Sequence, residues 1–172
     1  MPTLEEGSRA PDFQLPDPSG RLVSLGEILK GGPAVLIFFK ISCPTCQYAL
    51  PFWERLAGQL QGSAATIWAV SQDSPEHTRL FNEEFGVGLP QLFDGEEEIY
   101  PVSEAYGITF VPTAFLVNQQ GIISSVSLGF NKKEMEDIAA RLVTIARLPA
   151  PLELFRAEEK VPLVAPGCSG KN

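Results

Sequence analysis

Residues 34–60 read AVLIFFKISCPTCQYALPFWERLAGQL, and this stretch decides the fold. Ala34 to Phe39 is an unbroken apolar run, the pattern of a strand covered on both faces. Pro44 suits the first position of a following helix, where its missing N–H has no intrahelical partner to lose. Cys43 then falls near the N-cap, in front of unpaired backbone N–H groups and the positive end of the helix dipole. A thiolate is favoured there, so its pKa is expected below the free value of about 8.5. Cys46 follows one turn later, close enough to close a disulfide with Cys43. A buried strand running into a helix, with Cys-x-x-Cys at the junction, reads as a redox switch.

The rest of the composition bounds what such a switch can be. At 172 residues the chain is large enough for one domain with a real core. A hydrophobic fraction of 44 % and a mean hydropathy of +0.05 fit an ordinary globule. The net charge of −8 argues against general nucleic-acid binding and against an anionic membrane as partner. Three cysteines are too few for a disulfide scaffold, and the odd count leaves one without an internal partner. No stretch reaches the roughly 18 apolar residues of a membrane span. The opening MPTLEEGSRAPDF carries acids where a signal peptide has a basic and then an apolar region. The expectation is a cytoplasmic protein, where a Cys-x-x-Cys is catalytic more often than structural.

Outward from the central stretch, the pattern alternates strands and helices. Phe13 to Leu15 and Arg21 to Leu25, joined through Asp17-Pro18-Ser19-Gly20, predict an N-terminal hairpin. Gly26 to Leu29 predicts one helical turn. Pro51 is expected to kink the helix that carries Cys46. Ala65 to Val70 is a second strand. Ser74-Pro75-Glu76 then has the chemistry of an N-cap, a first-turn proline and an early acid, with Gly86 as the stop. Gln91 to Phe93 is a short strand, Glu96 to Glu98 a solvated acidic loop and Pro101 to Tyr106 a short helix. Thr113 to Val117 and Ile122 to Leu128 form a hairpin around Asn118-Gln119-Gln120-Gly121. Asn131 to Ala146 is a last amphipathic helix. Residues 1–146 are thus expected as one domain and 147–172 as a proline-rich tail carrying Cys168. The order predicts an α/β fold whose central mixed sheet is flanked by helices, with antiparallel pairing added by the hairpin.

On four features the chain resembles the thioredoxin-like superfamily. Cys43-x-x-Cys46 follows a buried strand, and Pro51 lies five residues past the second cysteine. Val111-Pro112-Thr113 opens a later strand, where the superfamily has its cis-proline loop, and the strand, turn, strand and helix then follow in order. Ala10-Pro11-Asp12-Phe13, Gly20-Arg21-Leu22-Val23-Ser24-Leu25 and the long span from Cys46 to Pro112 resemble the AhpC/TSA and TlpA-like branch. That span leaves room for an inserted strand and helix. The chain departs from the pattern at Ser42, where thioredoxins usually carry tryptophan, and at Ile37, where they bury an aspartate. Ala49 stands where some TlpA-like proteins have a glutamate, so Cys46 has no obvious local base.

The resemblance implies a thiol-disulfide oxidoreductase without cofactor or metal. In that mechanism Cys43 attacks a substrate disulfide and Cys46 resolves the mixed disulfide. It also implies a cis Val111-Pro112 bond that turns the Val111 backbone toward the sulfurs, with Val111, Pro112, Pro44 and Thr45 as the substrate-binding residues. Substrates would be disulfide-containing proteins or small thiols, and the reductant a thiol such as thioredoxin or glutathione. An alternative is a peroxiredoxin-like peroxidase, with Cys43 peroxidatic and Cys46 or Cys168 resolving. Lys40 argues against it, standing where peroxiredoxins place a threonine or serine. A distant alternative is a zinc module built on Cys43, Cys46, Cys168 and His77, which lacks a second closely spaced ligand pair. Cys168 reads either as a free thiol on a disordered end or as a third redox thiol. About 22 residues of roughly 3.3 Å each give it reach to any face of the domain.

Overall fold

The computed structural model describes residues 2–171. Its centre is β3 (Ala34–Phe39), whose six side chains are all buried, as the apolar run requires. β3 pairs in parallel with β4 (Thr66–Ser71) and antiparallel with β7 (Thr113–Val117). β5 (Gln91–Phe93) extends the sheet beyond β4, and β8 (Ile123–Leu128) extends it beyond β7, giving the order β5-β4-β3-β7-β8. This is the expected thioredoxin-like mixed sheet. Two of its connections cross over through helices, and the β7–β8 pair closes as a hairpin on Asn118, whose side chain accepts from the N–H groups of Gln120 and Ile122.

The helices form where the caps and apolar spacing predict. α1 (Leu25–Leu29) is a single short turn capped by Ser24, and it follows the hairpin of β1 (Gln14–Pro16) and β2 (Leu22–Ser24). α2 (Pro44–Gln59) keeps Pro51 within an unbroken helix and buries Cys46, Ala49, Leu50, Phe52, Trp53 and Leu56. α3 (Pro75–Phe85) starts on Ser74, whose hydroxyl accepts from His77 N. It stops at Gly86, where φ is +67° and a side chain would be strained. α4 (Pro101–Ala105) is held by Asp94, which accepts from the N–H groups of Val102 and Ser103. α5 (Lys132–Ile145) is capped by Asn131 and packs on β8. Glu96–Glu98 adopts one 3₁₀ turn.

Four short strands escaped the sequence reading: β6 (Phe110–Val111), β9 (Phe130–Asn131), β10 (Val164–Ala165) and β11 (Cys168–Ser169). They show what the tail does. Its prolines keep it free of helix, yet it lies along the domain instead of leaving it. Leu154 is buried, and the Phe155 ring stands 4.9 Å from Phe52 and 5.7 Å from Phe130. Arg55 on α2 donates twice to Glu159, at 2.6 and 2.8 Å, and once to Leu154 O. Beyond that clamp β10 pairs with β9 and β11 pairs with β6, which carries the chain end to the C-terminal end of β3.

Candidate active site

The site begins where β3 ends. Residues 40–42 link the strand to α2, and three hydrogen bonds hold the link in shape. Ile41 N donates to Asp73 Oδ2 at 2.8 Å, Gln47 Nε2 to Ile41 O at 3.0 Å, and Cys43 N to Lys40 O at 3.4 Å. Cys43 is the N-cap of α2 in extended conformation, and its Sγ accepts from Cys46 N at 3.2 Å. That is the capping geometry of a serine or aspartate, performed by sulfur, and it favours the anion. Both cysteine side chains are buried, and all three cysteines are free thiols.

The electrostatics separate the two thiols of the motif. A hydrogen bond from the Cys46 thiol is the main reason that Cys43 is held down to about 5. Burial opposes this, and the Cys168 thiol and the backbone N–H groups of Cys46 and Thr45 add to it. Cys46 moves the other way. Burial pushes its thiol far up, and its hydrogen bond to Cys43 and the charge of Cys43 keep the proton in place. The two thiols are thus pushed apart, Cys43 toward the thiolate and Cys46 toward the protonated form.

The facing wall is the loop before β7. The Val111-Pro112 bond is cis, and Val111 O lies 3.5 Å from Cys43 Sγ, in reach of a protonated thiol as acceptor. Thr113 Oγ1 donates to Phe110 O at 2.8 Å and Gly129 N to Pro112 O at 2.8 Å, which anchors both ends of the loop. Val111 and Pro112 are buried, Phe110 is exposed, and Pro44 and Thr45 edge the site from α2.

The third wall is the chain's own end. β11 lies antiparallel to β6, with Cys168 opposite Val111 and Ser169 opposite Phe110. Gly170 N donates to Thr109 O at 3.0 Å, and Thr45 Oγ1 donates to Pro166 O at 2.6 Å. Lys171 closes the strand: its Nζ lies 2.5 Å from Asp73 Oδ1 and its N donates to Gln72 Oε1 at 2.8 Å. Cys168 is partly buried, and burial, then its hydrogen bond to Cys43, raises its thiol.

The structure thus brings Cys43, Cys46, Cys168, Val111, Pro112, Pro44 and Thr45 together. It adds Gln72, Asp73, Thr109 and Gly129, which sequence reasoning passed over. Asp73 follows a strand end, a place where functional side chains gather in open α/β sheets, and that was its one legible signal. Lys40 meets Cys43 through its backbone carbonyl, and its side-chain charge acts on Cys168, favouring the thiolate there. His77 is exposed on the first turn of α3, and among the described residues no cluster of three or more ligating side chains is arranged to hold a metal.

Comparison with known proteins follows the same lines. The AhpC/TSA family pattern matches residues 7–126. The thiol-disulfide oxidoreductase ResA of Halalkalibacterium halodurans is 32 % identical over 138 residues, covering 80 % of this chain and 76 % of that protein. Among solved structures, the thioredoxin domain of a thiol-disulfide oxidoreductase from Bacteroides vulgatus is 25 % identical with a TM-score of 0.72. That match covers 82 % of this chain and 99 % of that one. The peroxidoxin BcpB of Mycobacterium tuberculosis shares the fold at 22 % identity and a TM-score of 0.67, covering 86 % of this chain and 99 % of that one.

Proposed function

The chain belongs to the AhpC/TSA family, and on that footing we propose that it is a thiol-disulfide oxidoreductase in which Cys43 attacks and Cys46 resolves. One observation carries the assignment: Cys43 caps α2 with its Sγ, which accepts from Cys46 N at 3.2 Å, and its thiol is lowered to about 5 while that of Cys46 is raised. Cys43 attacks one sulfur of a substrate disulfide. The substrate S–S bond breaks, a mixed disulfide forms, and the departing thiolate takes a proton from solvent. Cys46 then attacks Cys43 Sγ, the substrate's second sulfur leaves with the Cys46 proton, and the Cys43–Cys46 disulfide remains. A thiol such as thioredoxin or glutathione reduces that bond and restores the pair.

Apolar residues at positions 37 and 49, where related proteins carry acids, fit this sequence of steps. After burial, the Cys46 proton is held by the hydrogen bond to Cys43 and by the charge of Cys43. Both vanish once Cys43 is bonded to substrate, so the first step itself loosens the proton that the second step must move. The relatives' names, and Lys40 where peroxiredoxins place a threonine or serine, favour disulfide exchange over peroxide reduction.

The test is reduction of an insulin-type disulfide with dithiothreitol as electron source, beside a peroxide-consumption assay. Disulfide reduction that is lost in Cys43→Ser, with no thiol-dependent peroxide turnover, is the expected result. Substrate should also stay covalently attached to Cys43 in a Cys46→Ser, Cys168→Ser double variant. Rapid peroxide turnover without disulfide reduction overturns the assignment.

A further inference from the structure

The last eight described residues form a peptide ligand as much as a terminus. Val164–Ala165 pair with β9, and Cys168–Ser169 bind the free edge at Phe110–Val111 by strand addition, the mode in which main-chain pairing gives affinity and side-chain pockets give choice. The fit is close enough to demand glycine. A Cβ on Gly167 would lie 2.7 Å from Val111 O, and one on Gly129 would lie 3.0 Å from Gly167 N. Three further contacts hold the strand from outside the ladder: Thr45 to Pro166 O, Gln72 to Lys171 N, and Asp73 to the Lys171 ammonium. The tether is anchored upstream by the Arg55–Glu159 pair and by Leu154 and Phe155, so docking costs little additional chain entropy.

Within this ladder the register puts Cys168 opposite Val111, the residue whose carbonyl faces Cys43. Cys168 is near enough to Cys43 that its thiol helps lower that of Cys43. Burial and its contact with Cys43 raise the Cys168 thiol, and the Lys40 charge acts against that rise. We propose that Cys168 is a second resolving thiol of this site, presented to Cys43 by the docked C-terminal strand, and that a Cys43–Cys168 disulfide is a working state of the protein.

The chemistry balances without an added oxidant. When Cys43 carries a small thiol RS– as a mixed disulfide, Cys168 loses its proton and attacks Cys43 Sγ. The Sγ–SR bond breaks, the Cys43–Cys168 bond forms, and RS⁻ leaves with the proton that Cys168 released. Attack of Cys46 on Cys43 then converts this bond to Cys43–Cys46 and returns Cys168 as the thiol, an isomerisation with no net change in oxidation. The less buried thiol can act first and hand the bond to the more buried one. The inference rests on Cys43 being the nucleophile, as in the proposed function.

The test uses full-length Cys46→Ser treated with glutathione disulfide, then digested without reductant and analysed by mass spectrometry. The expected product is a monomer with an internal Cys43–Cys168 bond and released glutathione. Adding Gly167→Val, which places side-chain carbon against Val111 O, should slow that bond about tenfold, leaving only the effective concentration of an undocked tether. Lys171→Glu, a surface change that sets two carboxylates against each other at Asp73, should slow it in the same direction should Gly167→Val misfold. Persistent glutathione on Cys43, disulfide-linked dimers, or equal rates in Lys171→Glu and its parent overturn the proposal. A wild type that reduces no disulfide would sink the proposed function and leave the crosslink result standing on its own.

Discussion

Titrating the reduced protein from about pH 3 to about pH 9, while following thiolate absorbance in the ultraviolet, should show one step centred near 5 that vanishes in Cys43→Ser. Against a free thiol near 8.5, such a group is about 99 % ionised at pH 7, where a free cysteine is about 3 % ionised. The causes order the variants. Cys46→Ala removes the strongest donor and should raise the step furthest, and Cys168→Ala should raise it less. Stability follows by linkage. Because the folded-state value is depressed, the stabilisation is fully present above the unfolded value and fades as pH falls through about 5. The reduced protein should therefore gain on its Cys43–Cys46 disulfide form between these limits, by about 2 kcal/mol at neutrality after allowance for solvent screening. Denaturant melts of both forms across that range measure the difference. A step above pH 7, the reverse order of variants, or a difference that shrinks with rising pH would refute the reasoning.

The docked strand also sets an expectation for substrate choice. A disulfide in an extended peptide must displace β11 from Val111, so Gly167→Val should raise kcat/KM for such a peptide severalfold while leaving a small aromatic disulfide nearly unchanged. Equal changes for both would count against competition at the strand edge. Truncating the tail's buried anchor, Leu154→Ala, should cost about 2–4 kcal/mol in a denaturant melt, since Leu154 is only 2 % exposed. It should also speed protease cleavage within residues 147–163, and a melt within about 0.5 kcal/mol of wild type would show that the tail is not part of the cooperative unit.

The fold was legible because each local signal agreed with its neighbours. The apolar run 34–39, the Pro44 helix start, the Ser74 cap, the Gly86 stop and the Asn118 turn all act within a few residues, and a sequence reader sees the same distances that the chain does. Cys43 and Cys46 were legible for that reason, being three residues apart on one cap. At Ile37 and Ala49 the sequence lacks the acids that related proteins place near the second cysteine. The short strands β6, β9, β10 and β11 were not legible, because two residues carry no periodicity and their pairing partners lie far along the chain.

What the amino-acid order determined by itself was therefore the sheet, its helices and the placing of Cys43 and Cys46 at the end of β3. It left Cys168 suspended between a loose end and a working thiol, since 22 residues of reach are compatible with either. Only tertiary structure decided its place. Burial of Leu154, packing of Phe155 on Phe52 and Phe130, the Arg55–Glu159 clamp and a glycine fitted under Val111 O bring a residue 125 positions from Cys43 to its site. The Cys43–Cys46 pair is a local property of one helix cap, whereas the place of the third thiol depends on contacts that exist only once the domain has folded.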